Sequence, residues 1–392
     1  MPAKTPDAHF ADYPANTRIK HKILRGYLQA YLTALSNTAD AVHYIDGFAG
    51  RGNYAGVAPG SPILALDLLG RQQLPYCVSF VEADRTEADD LRSAIASLSQ
   101  SGRQLEEPLV LTGEFADHID AVLARPILRR FRNVATFAFV DPCRAKGVRV
   151  RDIRRILAAP YGECLIFWNY DGVNRWLGAV SSNEPYDSGL KDLFGDTSVL
   201  AKAIHLSETA TDPKDREQGL LQLFLDVLQT HSGATHLLPF RFDARDSNRT
   251  SHYLIHCSRH GLAFKLMKAV MSSVSVSGEP GKFEYLQHSD IGLQADLFRP
   301  EAEDAAEACV LEALTNGPCP VQMFYDTWVQ RPDDYFSEAD YRRLLLSLEE
   351  RNLIEVLDST GTTPRPRERR RRNKGVPTLS KDLWVRLRMK QE

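Results

Sequence analysis

The 392-residue chain predicts an α/β protein, a mostly parallel sheet covered by helices on both faces and followed by a small second module. Three observations carry this expectation. Strand-sized apolar runs alternate with amphipathic helical patterns from residue 41 to about residue 170, as expected where helices form the crossovers of a parallel sheet. A glycine-rich turn follows the first of these strands. Beyond residue 300 the pattern changes to three helices, a short β-like run and a dense basic stretch.

Taken in order, residues 1–15 read as a poorly structured, flexible lead-in. Residues 16–36 place Ile19, Ile23, Leu24, Tyr27, Leu28, Tyr31, Leu32 and Leu35 on one stripe, which predicts an amphipathic helix. AVHYIDGF is the first strand. SPILALDLLGR is helical, with Ser61 expected as its N-cap and Pro62 at the first helical position. CVSFVEAD, PLVLTGEF, VATFAFVDP and ECLIFWNY are the next four strands, separated by helical TEADDLRSAIASL, ADHIDAVLARPILRRF and RVRDIRRILAAP. A helical insertion is expected at about 173–230. HLLPFRF and SHYLIHCS follow as a late strand pair joined by the turn residues of FDARDSNRT, and then comes the helix GLAFKLMKAVMSS. The first domain therefore spans 16–273. Gly278, Pro280 and Gly281 mark a linker over 274–300. Residues 301–392 hold three helical patterns, a β-like LIEVL and a strand-like LWVRLR around a basic loop at 365–374. That order predicts a winged-helix module, a variant of the helix-turn-helix.

Composition narrows the class. Hydrophobic residues make up 43% and charged residues 25%, ordinary values for a globular protein. No apolar stretch approaches the roughly 20 residues that span a bilayer, so no membrane association is expected. The N-terminus has no apolar core of a secretory signal. The six cysteines show no C-x-x-C spacing, which disfavours metal and disulfide frameworks and fits a reducing, cytoplasmic setting. The net charge is −3, yet Arg365 to Lys374 carries seven basic residues and one acid, leaving −9 for the rest. An acidic body with one dense basic patch points to local contact with a polyanion.

The most informative motif closes the first strand: Asp46, Gly47, Phe48, Ala49, Gly50, Arg51, Gly52. Glycines at 50 and 52 permit a sharp turn and close approach of backbone to a ligand. The carboxyl edge of an open α/β sheet is where such folds bind ligands. An acidic first position suits a cofactor bearing an ammonium group and would repel a pyrophosphate. Glu82, with Ala83 after it, ends the second strand and is placed to meet ribose hydroxyls. Glu114 and Phe115 end the third, where an adenine edge would be read. Asp141 and Pro142 end the fourth, at the same edge.

These residues resemble class I S-adenosylmethionine-dependent methyltransferases, in particular amino-methylating enzymes with D-x-F-x-G-x-G and D-P-P-aromatic motifs. More closely, TRIKHKIL, YIDGFAGRGNYAG, GSPILAL, FAFVDP and FWNYDGVNRW look like the three-Cys-motif partner family, over roughly residues 16–300. The resemblance implies a Rossmann-like methyltransferase fold and S-adenosylmethionine as cofactor. It also implies a radical-SAM-like partner protein carrying three cysteines.

In the resembling amino-methylating enzymes the Asp and the proline carbonyl grip the amino group, and an aromatic residue stacks on the base. Here Cys143 stands where Pro-Tyr is expected, which departs from base methylation. A Pro-Cys pair resembles cytosine C5 methyltransferases, but the expected Glu after the fifth strand is missing. Asn169, Tyr170 and Asp171, with Asn174 and Arg175, follow that strand and read either as substrate-binding groups or as a cap for the next helix. Lys20 and His21 on the first helix are within possible reach of the same pocket. The basic loop, with Arg367, Arg369, Arg370, Arg371, Arg372 and Lys374, is expected to meet phosphates of DNA or RNA. Two functional readings stay open. One is a methyltransferase acting on nucleic acid. The other is an accessory protein that keeps the fold and recruits nucleic acid to its three-Cys partner. A nuclease is the weakest option, for want of a spaced metal-binding constellation.

Overall fold

The computed structural model describes residues 13–54, 58–98, 102–142, 147–179, 188–244, 247–276, 283–285, 300–332, 334–367 and 378–388. The chain divides into two compact units. One runs up to Leu266 and takes in Glu284 and Tyr285; the other comprises Met267 to Phe283 and the C-terminal region.

The first unit is built on one sheet. Its strands are β1 (Ala41–Asp46), β2 (Tyr76–Glu82), β3 (Leu109–Thr112), β4 (Val134–Val140), β5 (Glu163–Trp168), β6 (His236–Ala244), β7 (Ser247–Ser258) and the short β8 (Glu284–Tyr285). Their spatial order is β3-β2-β1-β4-β5-β7-β6-β8. The pairs β1–β2, β1–β4, β2–β3 and β4–β5 are parallel, whereas β7 runs antiparallel to both β5 and β6. Strand order reverses at β1, which opens a crevice at the carboxyl edge between β1 and β4, where such sheets hold ligands. A mostly parallel sheet in this order, with its antiparallel β6–β7 hairpin, is the Rossmann-like class I methyltransferase fold, as expected. Tyr285 and Glu284 add to β6 from within the segment read as a linker.

Both faces are buried because each strand is apolar on both sides. Every residue of β1 and β5 is buried. On one face α1 (Ala15–Leu35) lays Tyr27 and Tyr31 against Phe137 of β4, with ring centroids 5.7 and 5.6 Å apart. On the other, Ile45, Ala138, Ile166 and Trp168 pack with helical residues including Ile153, Leu177, Leu193 and Phe224. The remaining helices of this unit are α2 (Ser61–Gly70), α3 (Arg85–Ala96), α4 (Phe115–Leu123), α5 (Val150–Leu157), α6 (Tyr170–Ala179), α7 (Ser188–Phe194), α8 (Thr197–Thr209) and α9 (Pro213–Val227). The last four form the helical insertion, and α10 (Gly261–Val274) follows β7. Among the described residues no helix is long and apolar enough to cross a membrane, and no group of three or more His, Cys, Asp or Glu could hold a metal.

The C-terminal unit holds α11 (Pro300–Thr315), a π-helical and 3-10 segment at Met323–Gln330, and α12 (Glu338–Glu350). Its antiparallel sheet contains β9 (Cys319–Pro320), β10 (Ile354–Leu357) and β11 (Trp384–Leu387), with β11 in the centre. Val310, Phe324, Trp328, Leu345 and Val385 share its core. The second expected helix is wound as π and 3-10 turns rather than as an α-helix, which lets Phe324, Trp328 and Val329 all face inward.

Candidate functional site

The turn after β1 continues the sheet for two residues before leaving it. The amide of Gly47 donates to the Phe139 carbonyl and that of Ala49 to the Val81 carbonyl, both at 3.0 Å. Gly50 and Gly52 then adopt left-handed φ values of 61° and 85°, which side-chain-bearing residues rarely hold. The Gly52 carbonyl accepts from the Gly60 amide at 2.7 Å, tying the turn to the start of α2. Space forbids a larger residue as well. A Cβ on Gly47 would lie 3.0 Å from the Phe115 ring, and one on Gly52 would lie 2.9 Å from Leu91 Cδ1.

Glu82 holds this turn from β2. One of its oxygens accepts from the Gly50 amide at 2.7 Å and the other from the Asp84 amide at 2.9 Å. Asp84, in turn, is the N-cap of α3. Ala83 is exposed beside them. Asp46 lies beneath the turn and is fully buried. Its Oδ1 accepts from the Phe48 amide at 3.2 Å, and its carboxylate is hydrogen-bonded by Ser61. Its Oδ2 accepts no hydrogen bond of ordinary geometry, although the Tyr44 phenol interacts with the carboxyl. Burial pushes the carboxyl up to about 7, because a lone anion is poorly solvated there.

One expectation about this region is corrected. Ser61 is the first residue inside α2, and Gly60 occupies the cap position without a side-chain bond. The Ser61 hydroxyl serves Asp46 instead, a contact between two elements that local helix rules do not foresee. Phe115 is 3% exposed and packs on Gly47 and on Phe48, whose ring centroid is 6.1 Å away. From beyond the end of β3 it walls the glycine turn. Glu114 beside it is exposed.

A second cluster forms at the ends of β4 and β5. Asp141 forms an ion pair with Lys20, which α1 brings across the sheet. Lys20 also sits over the Phe167 ring, 3.8 Å from its centroid. His252 of β7 stacks on Phe167 with centroids 4.4 Å apart and planes 14° apart. Phe167 thus contacts both a cation and an imidazole. Burial, then the Lys20 charge, lower His252 to about 4, which keeps its ring neutral. His21 faces elsewhere: its Nδ1 is 3.0 Å from the Tyr13 hydroxyl and its ring lies against Tyr54. Burial lowers it also to about 4.

Pro142 is buried beside Asp141, whereas Cys143 lies outside the described residues. The next three candidates are drawn into local structure. Asn169 accepts from the Gly172 amide at 2.8 Å, so it caps α6. Asp171 pairs with Arg175 at 3.1 Å on the same helix. Tyr170 is buried edge-on to Trp168 and Tyr253, and burial raises its phenol to about 12. Phe167 and His252 were not foreseen. Both sit in apolar strand patterns, and only pairing of β5 with β7 places them beside Asp141.

In the C-terminal unit Arg367 lies 3.7 Å from Glu349 and 3.5 Å from Glu350, so its charge is met within the chain. Arg369, Arg370, Arg371, Arg372 and Lys374 lie outside the described residues.

No family model and no curated protein matches the sequence. Among solved structures, a protein from Legionella pneumophila is 12% identical, with a TM-score of 0.38 over 64% of this chain and 90% of that one. An O-methyltransferase from Bacillus cereus, crystallised with S-adenosylhomocysteine, is 14% identical, with a TM-score of 0.33 over 66% and 92%. The plantazolicin methyltransferase BamL, in complex with a substrate analogue and S-adenosylhomocysteine, is 10% identical, with a TM-score of 0.29 over 64% and 94%. Strand order defines the first unit as a protein of the Rossmann-like methyltransferase fold.

Proposed function

We propose that this chain is an S-adenosylmethionine-dependent methyltransferase that acts on nucleic acid. The observation that carries the cofactor is the buried Asp46 Oδ2, without a hydrogen bond of ordinary geometry, beneath a turn in which Gly47 and Gly52 leave no room for a side chain. A lone buried carboxylate oxygen is costly unless a ligand satisfies it. S-adenosylmethionine supplies a methyl group already activated on a sulfonium, together with an ammonium that answers this carboxylate. Asp46 would hold that ammonium. The backbone at Gly50 and Gly52 would allow close approach. Glu82 has lone pairs to spare for ribose hydroxyls after accepting its two amides. Asp141 and Pro142 stand at the neighbouring strand end, placed to orient an acceptor, so alignment rather than acid–base chemistry is the protein's main contribution. Isothermal calorimetry of the intact chain with S-adenosylmethionine tests this reading. Micromolar affinity lost in Asp46→Ala supports it, and no heat of binding in the wild type rejects it.

The nucleic-acid acceptor draws support from the basic run at 365–374 and from the order of helices and strands in the C-terminal unit, which fits a winged helix. A second reading is favoured by one observation: Lys20 already occupies the Asp141 carboxylate that would grip an acceptor amine. Under it the chain is an accessory, cofactor-binding partner of a radical-SAM-like three-Cys-motif protein. Incubation with labelled S-adenosylmethionine and mixed DNA and RNA, with and without that partner, separates the two. Label transfer by the chain alone selects the enzyme, and transfer only with the partner selects the accessory role.

A further inference from the structure

The opposite edge of the sheet carries a feature that methyl transfer does not use. Where β1, β2 and β4 begin, a groove of about 770 Å3 is lined by Arg71, Arg103, Arg130 and Arg132, with Asp40 as its single acid. Arg71 is shared with Asp67 at 2.6 Å. Among the described residues no carboxylate pairs with Arg103, Arg130 or Arg132. Outside residues 365–374 the chain carries −9, yet four arginines and a single acid line this groove.

The loops that carry them are pinned. The Asp40 carboxylate accepts from the amides of Arg132 and Asn133 at 3.1 and 3.0 Å, and the Asp40 amide donates to the Asn133 carbonyl at 2.9 Å. These bonds use the one acid in the groove to hold the backbone rather than to quench a guanidinium. The carbonyl of Arg103 accepts from the Tyr76 amide at 3.1 Å, and its side chain reaches the Gln73 carbonyl at 3.4 Å. Fixed backbones presenting unpaired guanidinium groups around an open groove suit bidentate contact with phosphate. The groove is several times too large for one phosphate, and the charge on its lining is mostly positive. Successive phosphates of a strand fit it better than a compact apolar ligand.

We infer that this groove binds the phosphate backbone of a nucleic-acid strand, at the edge remote from the glycine turn and independently of the cofactor. The inference rests on the nucleic-acid reading given above. Its test uses the full chain with Arg369, Arg370, Arg371 and Arg372 changed to alanine, so that the basic run contributes little. A fluorescein-labelled single-stranded oligonucleotide is titrated by anisotropy at several salt concentrations. Adding Arg130→Ala and Arg132→Ala should weaken binding and flatten the plot of log K against log salt by about 1.4, two contacts at ~0.7 each. Affinity for S-adenosylmethionine and the melting temperature should stay unchanged, because neither side chain holds the fold. Unchanged oligonucleotide affinity and slope in that variant overturn the groove while leaving the nucleic-acid reading intact. Equal competition by polyglutamate also overturns it, since carboxylates then serve as well as phosphates. No oligonucleotide binding by the unmodified chain rejects both.

Discussion

Lys20 and Asp141 stand 121 residues apart in sequence and form an ion pair at the carboxyl edge of the sheet. The pair binds α1 to the end of β4 and fixes the charge next to Phe167 and His252. A carboxylate and an ammonium this far from water tolerate each other only as a pair.

Removing one partner should therefore cost more than removing both. Lys20→Met leaves Asp141 uncompensated and is expected to lower stability by about 3 kcal/mol. Adding Asp141→Asn should restore part of that loss. Urea unfolding of the two single variants and the double variant measures the coupling, expected at about 1–2 kcal/mol. Simple additivity would show that the pair is solvated and energetically idle.

Asp46 predicts a pH dependence with a definite sign. Burial raises its carboxyl from 3.8 to about 7. Between those values the folded protein holds a proton that the unfolded chain has released. Asp46 thus lowers stability progressively as pH rises through this window and adds no further penalty above it. Asp46→Asn should melt higher than wild type above pH of about 7 and converge with it towards pH of about 4. Differential scanning calorimetry across this range checks the trend. A cofactor ammonium needs the ionised form, so wild-type affinity for S-adenosylmethionine should rise with pH through about 7 and be flat in Asp46→Asn. Burial raises Glu87 to about 7 as well, beside Glu82 and Arg51, and Glu87→Gln is the control that must keep the rise.

The glycine turn predicts an order of damage. Gly50→Ala meets a left-handed φ, which by itself should cost about 1 kcal/mol. Gly52→Ala meets both φ and Leu91 Cδ1 at 2.9 Å, so its cost should reach about 2–3 kcal/mol. Chemical denaturation ranks them. A neutral Gly52→Ala would contradict the packing of the turn against Leu91.

The C-terminal unit offers a local test. Ser337 and Asp340 form a capping box at the start of α12, each side chain bonding the backbone amide of the other. Ser337→Ala should destabilise by about 1 kcal/mol. Hydrogen exchange should speed up in the first turn of α12 and leave β1 and β4 protected. Loosening spread through the first unit would contradict a local role.

Much of the fold is legible because its signals are local. Buried parallel strands read as continuous apolar runs, and ECLIFW at β5 needs no partner to be recognised. Asp46, Gly50, Gly52 and Glu82 are legible because strand ends at one edge converge by topology. Ser61 was misread because its hydroxyl answers to a carboxylate 15 positions back, and local capping statistics see only the helix it begins. Asn169, by contrast, shows the capping role that its position before a helix allows.

Chain order and hydrophobic period by themselves determined the sheet, the crevice at its reversal point and the carboxylate and glycines that sit there, since each follows from contacts between near neighbours. Tertiary structure alone decided which charges meet. It brought Lys20 to Asp141, set His252 and Phe167 beside them, and gathered Arg103, Arg130 and Arg132 around one groove with no carboxylate partner among the described residues. Electrostatic pairing acts through space, and its strength depends on burial that no local pattern encodes.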